Sequence, residues 1–305
     1  MRIFLALSCL VLHAQTNPLW HEEKIKNYLP HMTWPEVADL LTRSDMVIIP
    51  IASLEEHGPQ LPIGTDYLSA TERAKLIAQK TDVLVAPILL PGISPYHTEF
   101  PGSIALSHDT VQRVYFEAVQ SLIHQGFRRF LFLNGHAGNQ YATRFICDRI
   151  NQETPATALD LGDAAAPFLT RNRASAPAAE RTSAPTFDRH AGIGETSGGL
   201  YLFPNLVNMG QAGKNDITLP DHLAELLPLV EAGDPTATQI FLAEALKPKD
   251  TGKHTSTREM TATGVWSNRD TRDSTEERGR QETESFVTAA VQFIDRWKTL
   301  EPLRR

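Results

Sequence analysis

Residues 46–52 read MVIIPIA, an unbroken apolar run. A strand with one wet face alternates apolar and polar residues, whereas an unbroken run marks a strand covered on both faces. Such a strand needs helices above and below it, and the rest of the chain supplies them. Thr33-Trp34-Pro35-Glu36 is a capping box with proline in the first turn, opening a helix to about Leu41. Residues 66–80 have helical spacing, with Leu68, Ala74, Ile77 and Ala78 apolar. Residues 83–89 read as a second buried strand. Asp109 is placed to cap a helix that runs to Gln125 and that Gly126 ends. A strand over 129–133, a helix over 139–150 and a strand over 156–161 continue the alternation. A short helix over 197–202 and a short strand over 263–266 follow. Ser274-Thr275-Glu276-Glu277 then forms a second capping box before a terminal helix to about Lys298. Repeated β-α-β units predict an α/β fold with a mainly parallel sheet and helices on both faces. Ligands in such folds bind beyond the carboxyl ends of the strands.

A net charge of −7 and the lack of any Lys/Arg cluster argue against nucleic acid as a partner. Hydrophobic residues make up 41% of the 305 positions, enough for a full core. The apolar run over 3–12 is too short to span a bilayer, so no membrane span is expected there. It fits the core of a secretory signal over 1–14, cleaved near Ala14, with a lipoprotein site at Cys9 as the alternative. Export to the periplasm or medium is the expectation. Removal of the leader leaves Cys147 alone. It sits in the helical pattern FICDRI, which points to packing rather than to a nucleophile. Residues 172–186, rich in Ala, Pro and Ser, read as a mobile loop, and 247–260 as a surface insertion. The chain is expected to form a single domain over 30–300, with insertions near 163–187 and 220–260.

The loop after the first strand, PIASLEEHGPQLPIGTD over 50–66, crowds Glu55, Glu56, His57 and Asp66 among prolines and glycines. Glu55 and His57 are two apart and point the same way in an extended segment. With Asp66 at the start of the next helix, they form half of a divalent metal site. Two further loops carry ligand-type residues in glycine-rich turns. One is LFLNGHAGNQ, with His136, and the other is HAGIGETSGG, with His190 and Glu195.

These segments carry a resemblance. SLEEHGPQLPIGTD, NGHAGN and HAGIGETS resemble three signature segments of the creatininase (creatinine amidohydrolase) family, and HTEFPGSIALS over 97–107 resembles a fourth. The resemblance implies a three-layer α/β/α sandwich, a dinuclear metal centre, hydrolysis of C–N bonds in a small amide substrate, and a homo-oligomer, often a hexamer. Carried over residue by residue, Glu55 and His136 bind one ion, His57 and Glu195 the other, and Asp66 bridges them. His190 matches the family's catalytic histidine. Glu56 stands where the family often has glutamine and is not counted as a ligand. Position 138 is glycine where creatininase proper has a glutamate, and no tryptophan lies in 150–190. The chain therefore resembles members other than creatininase itself, such as formamide hydrolases or mycofactocin-type peptidases.

The chemistry suits those roles. Two divalent ions (zinc, manganese or iron) sharing a carboxylate turn a bridging water into hydroxide near neutral pH. They also polarise the amide carbonyl and stabilise the tetrahedral oxyanion. The amine leaving group needs a proton, which an imidazole can carry. The expected function is thus a metal-dependent amidohydrolase. The alternatives are a metallopeptidase acting on a short peptide, and a binding protein that keeps the metal site without turnover.

Overall fold

The computed structural model describes residues 17, 22–175, 187–219, 221–245 and 257–303. The expected leader over 1–14 lies outside them. Strand β1 (Met46–Ile51) is central. It pairs in parallel with β2 (Leu84–Val85) on one side and β3 (Arg129–Asn134) on the other, and β3 pairs in parallel with β4 (Thr157–Asp160). The order is β2-β1-β3-β4.

The apolar run of β1 is spent on two cores. Val47, Ile49 and Ile51, with Phe130 and Phe132 of β3, face the helices α3 (His108–Gln125) and α4 (Gln140–Glu153), together with Leu40 of α1 (Trp34–Leu41). Met46 and Ile48, with Leu131 and Leu133, face α2 (Thr65–Thr81), α5 (Leu161–Ser175) and α10 (Glu276–Leu300). Each such side chain contributes about 1.5–3 kcal/mol when fully buried, so neither face tolerates the polar alternation of a one-sided strand. The result is the three-layer α/β/α sandwich with a parallel sheet. Among the described residues, no helix is long and apolar enough to cross a membrane.

Beyond β4 the chain builds a smaller assembly. Strand β5 (Asp188–His190) leads into α6 (Ile193–Leu202), then α7 (Leu227–Glu231), α8 (Pro235–Ala245) and α9 (Thr257–Met260). Strand β6 (Trp266–Ser267) pairs antiparallel with β5, setting His190 opposite Trp266. Phe187, Ile217, Val230, Phe241, Met260 and Trp266 form its own small core, with Tyr96.

Several local expectations change. The strand expected over 83–89 is confined to Leu84–Val85, because Pro87 withdraws a ladder donor. Helix α3 is capped two residues earlier than expected: the Ser107 hydroxyl accepts from the Thr110 N–H, and Asp109 lies inside the first turn. The cap of α10 is Thr275, whose hydroxyl accepts from the Arg278 N–H, so the box starting at Ser274 is one residue out of register. Residues 172–175 end α5 and are not loop, while 176–186 lie outside the described residues. Gly162 and Pro167 hid this helix in the sequence. Thr257 and Met260 are fully buried, so the end of the stretch read as a surface insertion is interior. Cys147 is buried in the helical core, which pushes its thiol up to about 12.

Candidate metal centre

The register of β1 on β3 sets Ile51 opposite Asn134, so the two following loops leave the sheet side by side. Two contacts hold them close, and a third ties in the segment after β2. Gly135 N–H donates to the Ile51 carbonyl at 2.9 Å. The Asn139 side chain accepts from Ile93 N–H at 3.0 Å and donates to the Ala52 carbonyl at 2.9 Å. A Cβ at Gly135 would lie 2.8 Å from the Asp66 carbonyl oxygen, a close approach that only glycine allows. The third loop arrives through β5. Ala191, fully buried, has φ +52°, a left-handed conformation that costs a non-glycine residue about 1–2 kcal/mol. Its N–H donates to Glu195 Oε2 at 2.6 Å, and its carbonyl accepts from Gln60 Nε2 at 2.7 Å. The strained turn thereby aims His190 and Glu195 at the first loop.

All six residues singled out from the sequence meet here. His136 Nδ1 lies 3.1 Å from Glu55 Oε1 and 3.2 Å from Asp66 Oδ2. His57 Nε2 lies 3.0 Å from Asp66 Oδ1 and 3.8 Å from Glu195 Oε2. These are two ligand triplets, Glu55–Asp66–His136 and His57–Asp66–Glu195, and Asp66 belongs to both. Glu55 Oε2 is buried with no hydrogen-bond donor, and Asp66 Oδ2 is buried against the His136 ring nitrogen at 3.2 Å. Unpaired buried carboxylate oxygens are costly, and divalent cations against them remove that cost. The residues therefore fit a divalent metal site.

The outer contacts orient the imidazoles. His57 Nδ1 donates to the Glu55 carbonyl at 3.0 Å, and His136 Nε2 donates to the Ile93 carbonyl at 3.1 Å. A carbonyl can only accept, so these nitrogens carry the hydrogens and His57 Nε2 and His136 Nδ1 face the carboxylates. That is the usual outer contact of a metal-bound histidine. Without ions the same nitrogens must be protonated. Burial works against the charge of His57, but Asp66, then Glu195 and Glu55, push its pKa up to about 10. Burial likewise opposes His136, and Glu55 raises it well above its ordinary value. Burial opposes the Glu55 carboxylate, yet His136 and His97 hold it down to about 2. Asp66, against the same burial, sits well below the usual carboxylate range through His57 and His136.

Three residues at the centre had no assigned role in the sequence reading. Glu56 accepts from His97 Nδ1 at Oε1 (2.8 Å) and from Gly58 N–H at Oε2 (3.0 Å). Burial opposes its charge, but hydrogen bonds from His190 and His97 hold it down to about 2. His97, from the fourth signature segment, stacks on His190 at 4.3 Å, and His190 lies 4.3 Å from the His57 ring. Glu56, His97 and His190 also lie close enough to hold an ion. Glu56 and His97 already have hydrogen-bond partners, unlike the orphaned Oε2 of Glu55. Trp266 reaches the centre through β6 and packs 5.6 Å from His97 and 5.9 Å from His190. An indole is thus present although none lies in 150–190. Only the pairing of β5 with β6, which local pattern does not encode, brings it in.

Two expected results follow from this geometry. A Cβ at Gly138 would meet His136 Nε2 and the Ile93 carbonyl at 2.4 Å and the Tyr96 hydroxyl at 2.7 Å. Gly138→Ala should destabilise by about 1–3 kcal/mol, as overpacking does, and weaken metal binding through His136; thermal unfolding and metal titration check both. Chelation should lower Tm. Ions at 100–1,000 times Kd stabilise by about 2.7–4.1 kcal/mol each, and each kcal/mol shifts Tm by about 2–4 °C in a chain of similar size. A fall of at least about 5 °C, reversed by added zinc or manganese, is expected; an unchanged Tm would remove the case for metal.

Comparison with known proteins agrees with the fold and the motifs. A family profile described as creatinine amidohydrolase matches residues 30–294. A mycofactocin precursor peptide peptidase from Mycolicibacterium smegmatis is 30% identical over 194 residues, covering 62% of this chain and 69% of that protein. A 3-dehydro-scyllo-inosose hydrolase from Thermotoga maritima is 33% identical over 110 residues, 36% of this chain and 35% of the relative. The chain thus spans about a third of that relative's length. A Bacteroides fragilis structure bearing the creatinine amidohydrolase name superposes with TM-score 0.63 at 21% identity, covering 93% of this chain and all of the other.

Proposed function

The chain belongs to the creatininase (creatinine amidohydrolase) family, and from that premise we propose that it hydrolyses a C–N amide bond at a dinuclear metal centre. Glu55 and His136 would hold one divalent ion, His57 and Glu195 the other, and Asp66 would serve both. The observation that carries this reading is the sharing of Asp66 by two triplets, one of which holds the buried and unpartnered Glu55 Oε2. Three carboxylates around two imidazoles offer charge and donor chemistry suited to zinc, manganese or iron.

Bound ions would supply a water of lowered pKa and polarisation of the amide carbonyl. The protein's own residues do the rest. Ile93 and Glu55 carbonyls hold the ligand imidazoles in place. His190 Nε2–H is anchored on the Glu56 carbonyl at 2.7 Å, leaving Nδ1 towards Glu55 Oε1 at 3.8 Å. From there it carries a proton to the leaving nitrogen.

Metal-reconstituted protein assayed on lactams, formamides, short peptides and creatinine tests the reading. Metal-dependent cleavage in any amide class supports it, and stoichiometric metal with no cleavage leaves a binding protein. Creatinine is expected to be slow, because the Tyr96 hydroxyl occupies the space that a carboxylate at position 138 would need. A second reading, processing of a short peptide, is favoured by the similarity to the mycofactocin precursor peptide peptidase. Cleavage of peptides in preference to small amides would select it. Export, resting on the apolar run over 3–12, belongs to the same proposal, and the N-terminal residue of the mature protein tests it. So does association of copies, for which the exposed Tyr141 and Phe145, one turn apart on α4, offer a surface.

A further inference from the structure

We propose that the centre works with two imidazoles, His97 and His190, and that Glu56 is the positioning residue that fixes both in complementary tautomers. The inference rests on the hydrolase reading above, but it is carried by hydrogen bonds that can be observed without turnover.

Glu56 is held on every side. Its N–H donates to Ser103 Oγ at 2.9 Å, and its Oε2 accepts from Gly58 N–H at 3.0 Å. Gly264, at φ +87°, leaves the carboxylate its room: a Cβ there would lie 1.8 Å from Oε2. So fixed, Glu56 presents two acceptors. Its carbonyl accepts from His190 Nε2 at 2.7 Å, and its Oε1 accepts from His97 Nδ1 at 2.8 Å. His190 therefore carries its hydrogen on Nε2 and His97 on Nδ1, where the Thr257 hydroxyl also lies at 2.8 Å. The two remaining nitrogens face the same atom: His97 Nε2 lies 3.6 Å and His190 Nδ1 3.8 Å from Glu55 Oε1. One glutamate thus turns two ring nitrogens towards Glu55, a ligand of the proposed centre. Hydrolysis needs two proton movements, one away from the attacking water and one onto the leaving nitrogen as the C–N bond breaks. A second imidazole gives the centre a second place to hold a proton.

Glu56→Gln tests this. Gly58 N–H still requires an acceptor, so the amide oxygen takes that position and the NH2 group faces His97. His97 Nδ1 must then accept, and its hydrogen moves to Nε2. In zinc-loaded protein labelled with 15N-histidine, the His97 resonances, assigned by their loss in His97→Asn, should invert their tautomer pattern. Metal content should stay at the parent value, and kcat should fall by about 10–10³-fold with little change in KM, part of the range for acid–base catalysis. An unchanged tautomer pattern in Glu56→Gln overturns the inference while leaving the metal reading intact. An inverted pattern with unchanged kcat overturns it as well. If the parent shows no hydrolysis, the hydrolase reading fails, and the NMR still decides whether Glu56 sets the tautomers. If Glu56→Gln does not fold, His97→Asn carries the test, since it keeps a donor to Glu56 and removes only the inward nitrogen. A fall in kcat of similar size with metal retained supports the inference, and parent-like kcat overturns it.

Discussion

Replacing Asp66 with alanine should empty the centre of both ions, where Glu195→Ala empties one. Asp66 Oδ1 faces His57 and Oδ2 faces His136, so a single carboxylate completes two triplets. Glu195 belongs to one triplet only, and its side chain is partly exposed and held by Ala191 N–H. Loss of an outer-contact residue typically weakens metal binding by about 10–100-fold; loss of the shared ligand should exceed that at both sites. Asp66→Asn, which keeps size and helix position, separates loss of charge from loss of shape. Elemental analysis of protein purified without chelators reads the stoichiometry. Two ions retained by Asp66→Ala would mean that Asp66 is not the bridge.

The second large effect concerns His190. Gln in its place keeps a donor where Nε2 meets the Glu56 carbonyl and removes the inward Nδ1. His190→Gln should keep its metal and lose about 10²–10⁴-fold in kcat, the usual worth of a general acid or base. The loss should shrink for amides with good leaving groups, which need less protonation. Because His190 also lies within metal reach of Glu55 and His57, the metal content of the variant is the deciding measurement. A variant that loses an ion would make His190 a ligand, and one with parent-like kcat would make it a bystander.

What could be read from the chain divides along physical lines. The run MVIIPIA announced a doubly covered strand, because burial on both faces leaves no room for a polar residue. The crowding of Glu55, His57 and Asp66 in one loop was visible because those residues are neighbours in sequence. The roles of Glu56 and His97 were not, since their contact joins two loops 41 positions apart. Trp266 was invisible as a site residue for the same reason, since its place depends on pairing with β5. Helix α5 was obscured by Gly162 and Pro167, whose local preferences yield to the packing of Ala165 and Phe168 against α10 and the sheet. The start of α3 was misplaced by two residues because Asp109 and Ser107 are both good caps and only the backbone geometry chooses.

The parallel register of β1 on β3 would make metal uptake a proofreading step for folding. Ile51 opposite Asn134 is what sets the Glu55 loop beside the His136 loop. A slip of one residue would turn every side chain of the strand to the other face and carry Glu55 and Asp66 away from His136. A mis-registered chain can still collapse around apolar residues, but it cannot assemble a ligand set drawn from three separate loops. Ions held by that set would favour the correctly paired molecule and draw the population towards it. The metal content of a preparation purified with excess metal would then report on correctly threaded sheets.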